Sequence, residues 1–153
     1  MANAWYNRGK KQDLSGEIDL TNDTIKVMLV GTGYTFNADH ATVDDGSAND
    51  PQSHELSGTG YAGGYSGSGR KTLASKAFAQ DDANDRGEFD AADLTWAGIN
   101  AGTAKAAIVF KNGAADDTTS QLIAYIDTGG FPIATNGGDL TIQWNAEGIL
   151  HLS

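Results

Sequence analysis

The sequence has 153 residues, a length that suits one domain, because single cores typically run ~100–200 residues. It contains no cysteine, which removes disulfides and thiolate metal sites. Twenty acids against ten bases give a formal charge of −10, a poor basis for nucleic-acid binding. No apolar run approaches the ~18 residues of a membrane span.

In chain order, residues 3–14 read as a short N-terminal helix, with Asn3 as its cap and Ser15-Gly16 as its end. Gly9 weakens that helix by about 1 kcal/mol. Residues 1–15 thus form a helical arm, and residues 16–153 form the body. Arg8, Lys10 and Lys11 make the arm basic, while Trp5 and Tyr6 supply aromatic anchors. The N-terminus lacks the basic-then-apolar order of a secretory signal, so the chain is expected to act where it is made or to leave by lysis.

Ile25 to Val30 reads as a strand whose apolar end predicts burial on both faces. Residues 37–69 then predict a long polar, Gly/Asp-rich loop that includes Tyr61 and Tyr65. Segments of this kind are usually functional or mobile. Strand patterns resume at 70–78 and 89–96, with short apolar runs at 106–110 and 122–126. Clean alternation at 140–144 and a closing run at 149–152 follow. Asn112-Gly113 and Asn136-Gly137-Gly138 are turn signals. Twenty glycines and two prolines fit short strands joined by many turns. The expected fold is mostly β: a single-domain antiparallel sandwich or barrel with a short N-terminal helix and one long loop. Trp96 and Trp144 sit in strand patterns and are expected in the core.

Three stretches resemble chemical motifs and fail on mechanics. Gly58-Thr59-Gly60-Tyr61-Ala62-Gly63 matches the dinucleotide fingerprint, but more glycines follow where a helix must start. Residues 64–72 resemble a phosphate loop, yet Arg70 interrupts the required Gly-Lys pair. Residues 82–93 resemble a calcium loop, yet Arg86 stands at the fifth ligand position. His40, His54 and His151 lack zinc spacing. His40 and His54 flank the acidic stretch, where a Ser–His–Asp group is conceivable, but no nucleophile elbow is present. No catalytic, cofactor or metal residues are therefore assigned, and an enzyme is not expected.

Six stretches belong together: Gly16 to Val30, Tyr34-Thr35-Phe36-Asn37 with His40, Glu55 to Gly64, Phe89 to Trp96, Leu122 to Asp127 and Leu140 to Leu150. Taken in order, they resemble small structural virion proteins of tailed bacteriophages. Residues 44–54 and Tyr65–Gly69 depart from that pattern. The resemblance implies a capsid decoration or cement protein located in the virion and assembled in the host cytoplasm. It implies the major capsid protein and copies of the chain itself as partners, with a trimer suiting the role. A tail, neck or fibre adhesin is the alternative. Trp5, Tyr6, Arg8, Lys10, Lys11, Tyr61 and Tyr65 are the expected capsid or subunit contacts, with no nucleic-acid and no membrane partner.

Overall fold

A computed structural model describes residues 3–152. The fold is mostly β, with antiparallel sheets and one short helix, consistent with a sandwich-like arrangement. Its centre is a five-stranded sheet. Ile25–Val30 (β2) pairs with Ala106–Lys111 (β8), and β8 pairs with Gln121–Ile126 (β9). Ala4–Trp5 (β1) adds to β9, and Lys71–Thr72 (β3) adds to β2. A bulge between Val109 and Phe110 shifts the β8–β9 register.

The expectation of two-sided burial for β2 holds. Val27, Met28, Leu29 and Val30 are fully buried, and they alternate between two core clusters. Val27 and Leu29 join Trp96, Ile99, Phe89 and Leu140 in the larger cluster. Met28 and Val30 join Tyr6, Tyr34, Phe110 and Tyr125 in the smaller, aromatic one. A strand buried on both faces loses the polar alternation of a half-exposed strand, which explains its unbroken apolar run.

The smaller sheets lie outside this centre. Ala77–Asp81 (β4), Arg86–Asp90 (β5) and Leu150–Leu152 (β12) form a three-stranded sheet in the order β12-β5-β4. Leu94–Trp96 (β6) pairs with Leu140–Ile142 (β11), and Thr103–Ala104 (β7) pairs with Ile133–Ala134 (β10). Ser75, at φ 52°, separates β3 from β4 where the sequence predicted one loose strand. Trp96 is buried as expected, whereas Trp144 is only half-buried and donates its indole N–H to the Ala92 carbonyl at 3.0 Å.

The expected short N-terminal helix is present but starts later than residue 3. Residues 1 and 2 lie outside the described residues. Asn3 caps nothing: its amide donates to the Ile149 carbonyl at 3.1 Å. Ala4 and Trp5 are strand, and the helix (α1) spans Asn7–Ser15 and ends at Gly16 in the left-handed region. The helix lies on the central sheet. A Cβ on Gly9 would stand 2.6 Å from the Ile123 carbonyl oxygen, so glycine is what lets the two backbones meet.

The segment 37–69 is an irregular chain held against the body. Val43, Leu56 and Tyr61 enter the core, and His40 and Asp50 are buried. Gln52–His54 form a 3-10 turn, and isolated bridges join Thr42 to Gln121 and Thr59 to Asn100. The stretch is low in hydrophobicity because it is fixed by individual hydrogen bonds rather than by periodic apolar contact.

Candidate interaction surface

The residues with chemical potential are mostly consumed inside the domain. Arg70 is the clearest case. Its Nε and Nη2 donate to Glu55 at 2.9 and 2.7 Å, and its Nη1 and Nη2 donate to Asp117 at 2.5 and 2.8 Å. All three side chains are almost wholly shielded from solvent. Burial works against the charged guanidinium, but its hydrogen bonds to Glu55 and Asp117 outweigh that and raise the Arg70 pKa. The guanidinium also lies 5.3 Å over the Phe110 ring. Around this triad, Gln52 donates to Asp117 at 3.0 Å, and the Gly64 N–H and the Tyr61 hydroxyl donate to Glu55 at 2.8 and 3.1 Å. Three distant parts of the chain are thereby tied together.

That triad accounts for two of the apparent motifs. The interrupted phosphate loop is the approach of Arg70 to its carboxylates, followed by β3. In the fingerprint-like stretch, Gly58 and Tyr61 exchange backbone hydrogen bonds in a tight turn. A Cβ on Gly60 would meet the Gly98 carbonyl at 2.8 Å, and one on Gly69 would strike the Tyr61 ring at 2.5 Å. These glycines serve backbone packing, and no helix N-terminus follows them. The calcium-like stretch is the β4–β5 turn. There Asp81 accepts from the Ala83 and Asn84 amides, and Arg86 pairs with Asp81, Glu88 and Glu147.

His40 accepts or donates at 3.2 Å with the Tyr34 hydroxyl, which meets the Tyr6 hydroxyl at 2.7 Å. Burial first, then Tyr34, pushes the Tyr6 pKa up, and burial pushes Tyr34 up to about 12. This is a buried aromatic cluster that includes Tyr125, with the partly buried Phe36 packed against it. No serine hydroxyl is hydrogen-bonded to either His40 or His54 among the described residues, so the grouping entertained there is not assembled.

Of the expected contact residues, Tyr6 and Tyr61 are withdrawn from the surface, being 0% and 1% exposed. The Tyr61 ring packs near Trp96, and its hydroxyl accepts from the Leu29 N–H at 2.9 Å. Tyr65 is half-buried, and its hydroxyl donates to the Gly113 carbonyl at 2.7 Å. Arg8, Lys10 and Lys11 are exposed, with Lys11 paired to Glu17. Trp5 is half-buried, and its indole N–H points to the His151 carbonyl at 3.4 Å.

Trp5 leads to the surface that is not consumed internally. It lines an apolar groove of about 290 Å³ together with Leu20, Phe78, Phe89, Leu150 and Leu152, with Asp13, Glu88 and His151 among the polar neighbours. Phe78 and Leu152 are 59% and 51% exposed, and Leu14, next to Asp13 on the helix, is 88% exposed. Scattered surface leucines need no explanation, but apolar side chains gathered round one groove do. The registers Phe78↔Phe89↔Leu150 and Gln80↔Gly87↔Leu152 place two rows on one face of the three-stranded sheet. The first row is anchored in the core through Phe89 and Leu150, and the second overhangs it.

No protein-family model matches the chain, and no similar curated protein or solved structure was found. No helix among the described residues is long and apolar enough to cross a membrane.

The sequence offered one pointer to this groove, the aromatic Trp5. It gave none to Phe78 or Leu152, because each stands in an ordinary strand pattern. Their exposure follows only from the overhang of β4 and β12.

Proposed function

We propose that this domain is a structural protein of a tailed-phage virion, a capsid decoration or cement protein that binds and stabilises the assembled head shell. The observation that carries the reading is the exposed apolar groove on a domain whose buried Arg70–Glu55–Asp117 triad and tyrosine pair are engaged internally. Such a surface suits a domain that works by covering and being covered. The resemblance to virion proteins, running in order through the chain, supplies the kind of partner: the major capsid protein, and copies of this chain, for which a trimer fits the role. The body is read as a β-sandwich whose central sheet packs on the smaller sheets. Many modest contacts repeated by symmetry would hold the shell through avidity. Trp5 and the exposed Arg8, Lys10 and Lys11 remain in the contact set, and the groove residues Phe78 and Leu152 join it.

The alternative, a tail, neck or fibre adhesin, relied on rings displayed by the glycine-rich stretch. Tyr61 is buried and the Tyr65 hydroxyl is bonded inward, so that stretch offers no aromatic platform. The test is reconstruction of particles carrying the chain, with heat release of DNA compared between occupied and stripped heads. Density over the head lattice and earlier DNA release from stripped heads are expected. Density confined to the neck or tail, or equal heat resistance, would overturn the reading.

A further inference from the structure

The sheet edge beside the groove is open. No strand among the described residues pairs with the outer side of β4, and residues 77–80 are exposed. Natural edge strands are usually blunted by bulges, proline or lysine. β4 has a regular register from Ala77↔Asp90 to Asp81↔Arg86, and neither proline nor lysine lies within it. The opposite edge is treated differently: the side chains of Asn3 and Trp5 reach carbonyls of residues 149 and 151 beside β12.

Gly87 is the second observation. It stands in the middle of the overhanging row, between Gln80 and Leu152. Its φ is not in the left-handed region, so the backbone does not require glycine. An added Cβ would meet nothing within 4 Å, so packing within the chain does not require it either. Glycine weakens a strand and commonly marks the close approach of a ligand or another backbone. Here it leaves a hollow in the floor of an apolar face, one strand in from the free edge, with Gln80 of β4 between.

Charge selects the occupant. Asp13 and Asp19 lie by Phe78 at one end, and Asp82 and Asp85 lie beyond Gln80 at the other. Of the cations beside this face, Arg86 is already shared among three carboxylates, and Lys76, just before β4, donates to the Asp23 carbonyl. A second copy of this chain docking through the same face would bring the same acids against them.

We propose that the free edge of β4 and the hollow over Gly87 receive an extended polypeptide segment with alternating apolar side chains and lysine or arginine at its flanks. The segment adds a strand to β4 and extends a long apolar side chain across Gln80 toward the hollow over Gly87, between Phe78 and Leu152. Placing that segment in the shell protein rests on the virion reading; the site itself does not.

The probe is a nine-residue peptide of alternating phenylalanine and threonine with two lysines at each end, titrated into the full chain and followed by amide NMR. The expected result is shifts at Gly87, Leu152 and residues 77–81, with slowed exchange of β4 amides. A glutamate-flanked version is expected to bind at least tenfold more weakly. Gly87→Val is expected to weaken peptide binding at least tenfold without lowering Tm, because valine favours strands and the space is empty. Should that variant fold poorly, Phe78→Ser, at an exposed position, is expected to lose binding in the same way. Shifts elsewhere, equal binding of the two peptides, or full binding by a folded Gly87→Val chain would overturn the proposal. Concentration-dependent shifts of the same residues without peptide would also overturn it, by assigning the face to a second copy. A wild-type chain that binds peptide but not shells would sink the virion reading and leave the docking site standing. Equal binding to shells by wild type and Gly87→Val would sink the docking site and leave the virion reading standing.

Discussion

Replacing Arg70 by methionine tests whether the buried triad holds the irregular segment to the body. The substitution keeps most of the side chain's length and apolar stem. It removes four N–H···O contacts and, among the described residues, the only cation paired with Glu55 and Asp117. Two carboxylates then remain in a site where the side chains are only about 2% exposed. Removing one partner from a buried ion pair costs about 3–5 kcal/mol, because the charge left behind has neither water nor a counter-ion. For a domain of this size each kcal/mol moves Tm by about 2–4 °C, so a fall of roughly 6–20 °C is expected. Urea unfolding followed by tryptophan fluorescence gives the free energy directly, and Trp96 reports on the segment because its indole donates to the Gly69 carbonyl. Adding Glu55→Gln to the Arg70→Met chain removes one of the stranded charges and is expected to restore part of the loss. A cost below about 1 kcal/mol, the range of exposed pairs, would refute the reasoning. So would a double variant less stable than Arg70→Met alone.

Gly9→Ala sets helix propensity against packing. Alanine gains about 1 kcal/mol within a helix, but its Cβ would press on the Ile123 backbone at 2.6 Å, and overpacking costs about 1–3 kcal/mol. A net loss of about 1 kcal/mol in urea unfolding is expected; a stabilised variant would mean that α1 does not sit on β9 at this distance. Tyr6, Tyr34, Tyr61 and Tyr125 all have raised pKa values, with burial as the first cause. A phenol whose folded pKa exceeds its unfolded value of about 10 stabilises the fold fully below pH 10. That stability is lost as pH rises through the folded values, about 12 for Tyr34. Absorbance titration is therefore expected to show delayed phenolate formation with unfolding above pH 10. Four normal phenols titrating in a folded chain would contradict the buried cluster.

The parts of the fold that were legible in the sequence are those made by repetition. β2, β8 and β9 announce themselves as apolar runs because each is buried on two faces. Gly16 ends α1 where a left-handed residue was expected, and Gly137, at φ +91°, turns the chain before β11. What was not legible depends on single contacts between distant residues. β1 is two residues long and exists because β9 has an edge to pair. Tyr6 and Tyr61 carry the polar tips that make aromatics good interface anchors, but those tips find partners in Tyr34 and in Glu55 and Leu29. Aromatic residues serve cores and interfaces by the same physics, so composition alone does not separate the two.

The same distinction explains why the surface of interest moved from the glycine-rich stretch to the smaller sheet. An irregular segment has no ladder to satisfy its backbone, so it must be fixed by side chains. Arg70, reaching Glu55 on the segment and Asp117 in the β8–β9 connection, provides that fixation across 47 residues of sequence. Once the segment is fixed, its glycines and tyrosines are occupied by packing. A strand pair is in the opposite position. β4 satisfies only one side of its backbone through β5, and the other side stays available however well the domain folds. Gly87 then stands out because it is a glycine that the fold of the single chain does not need.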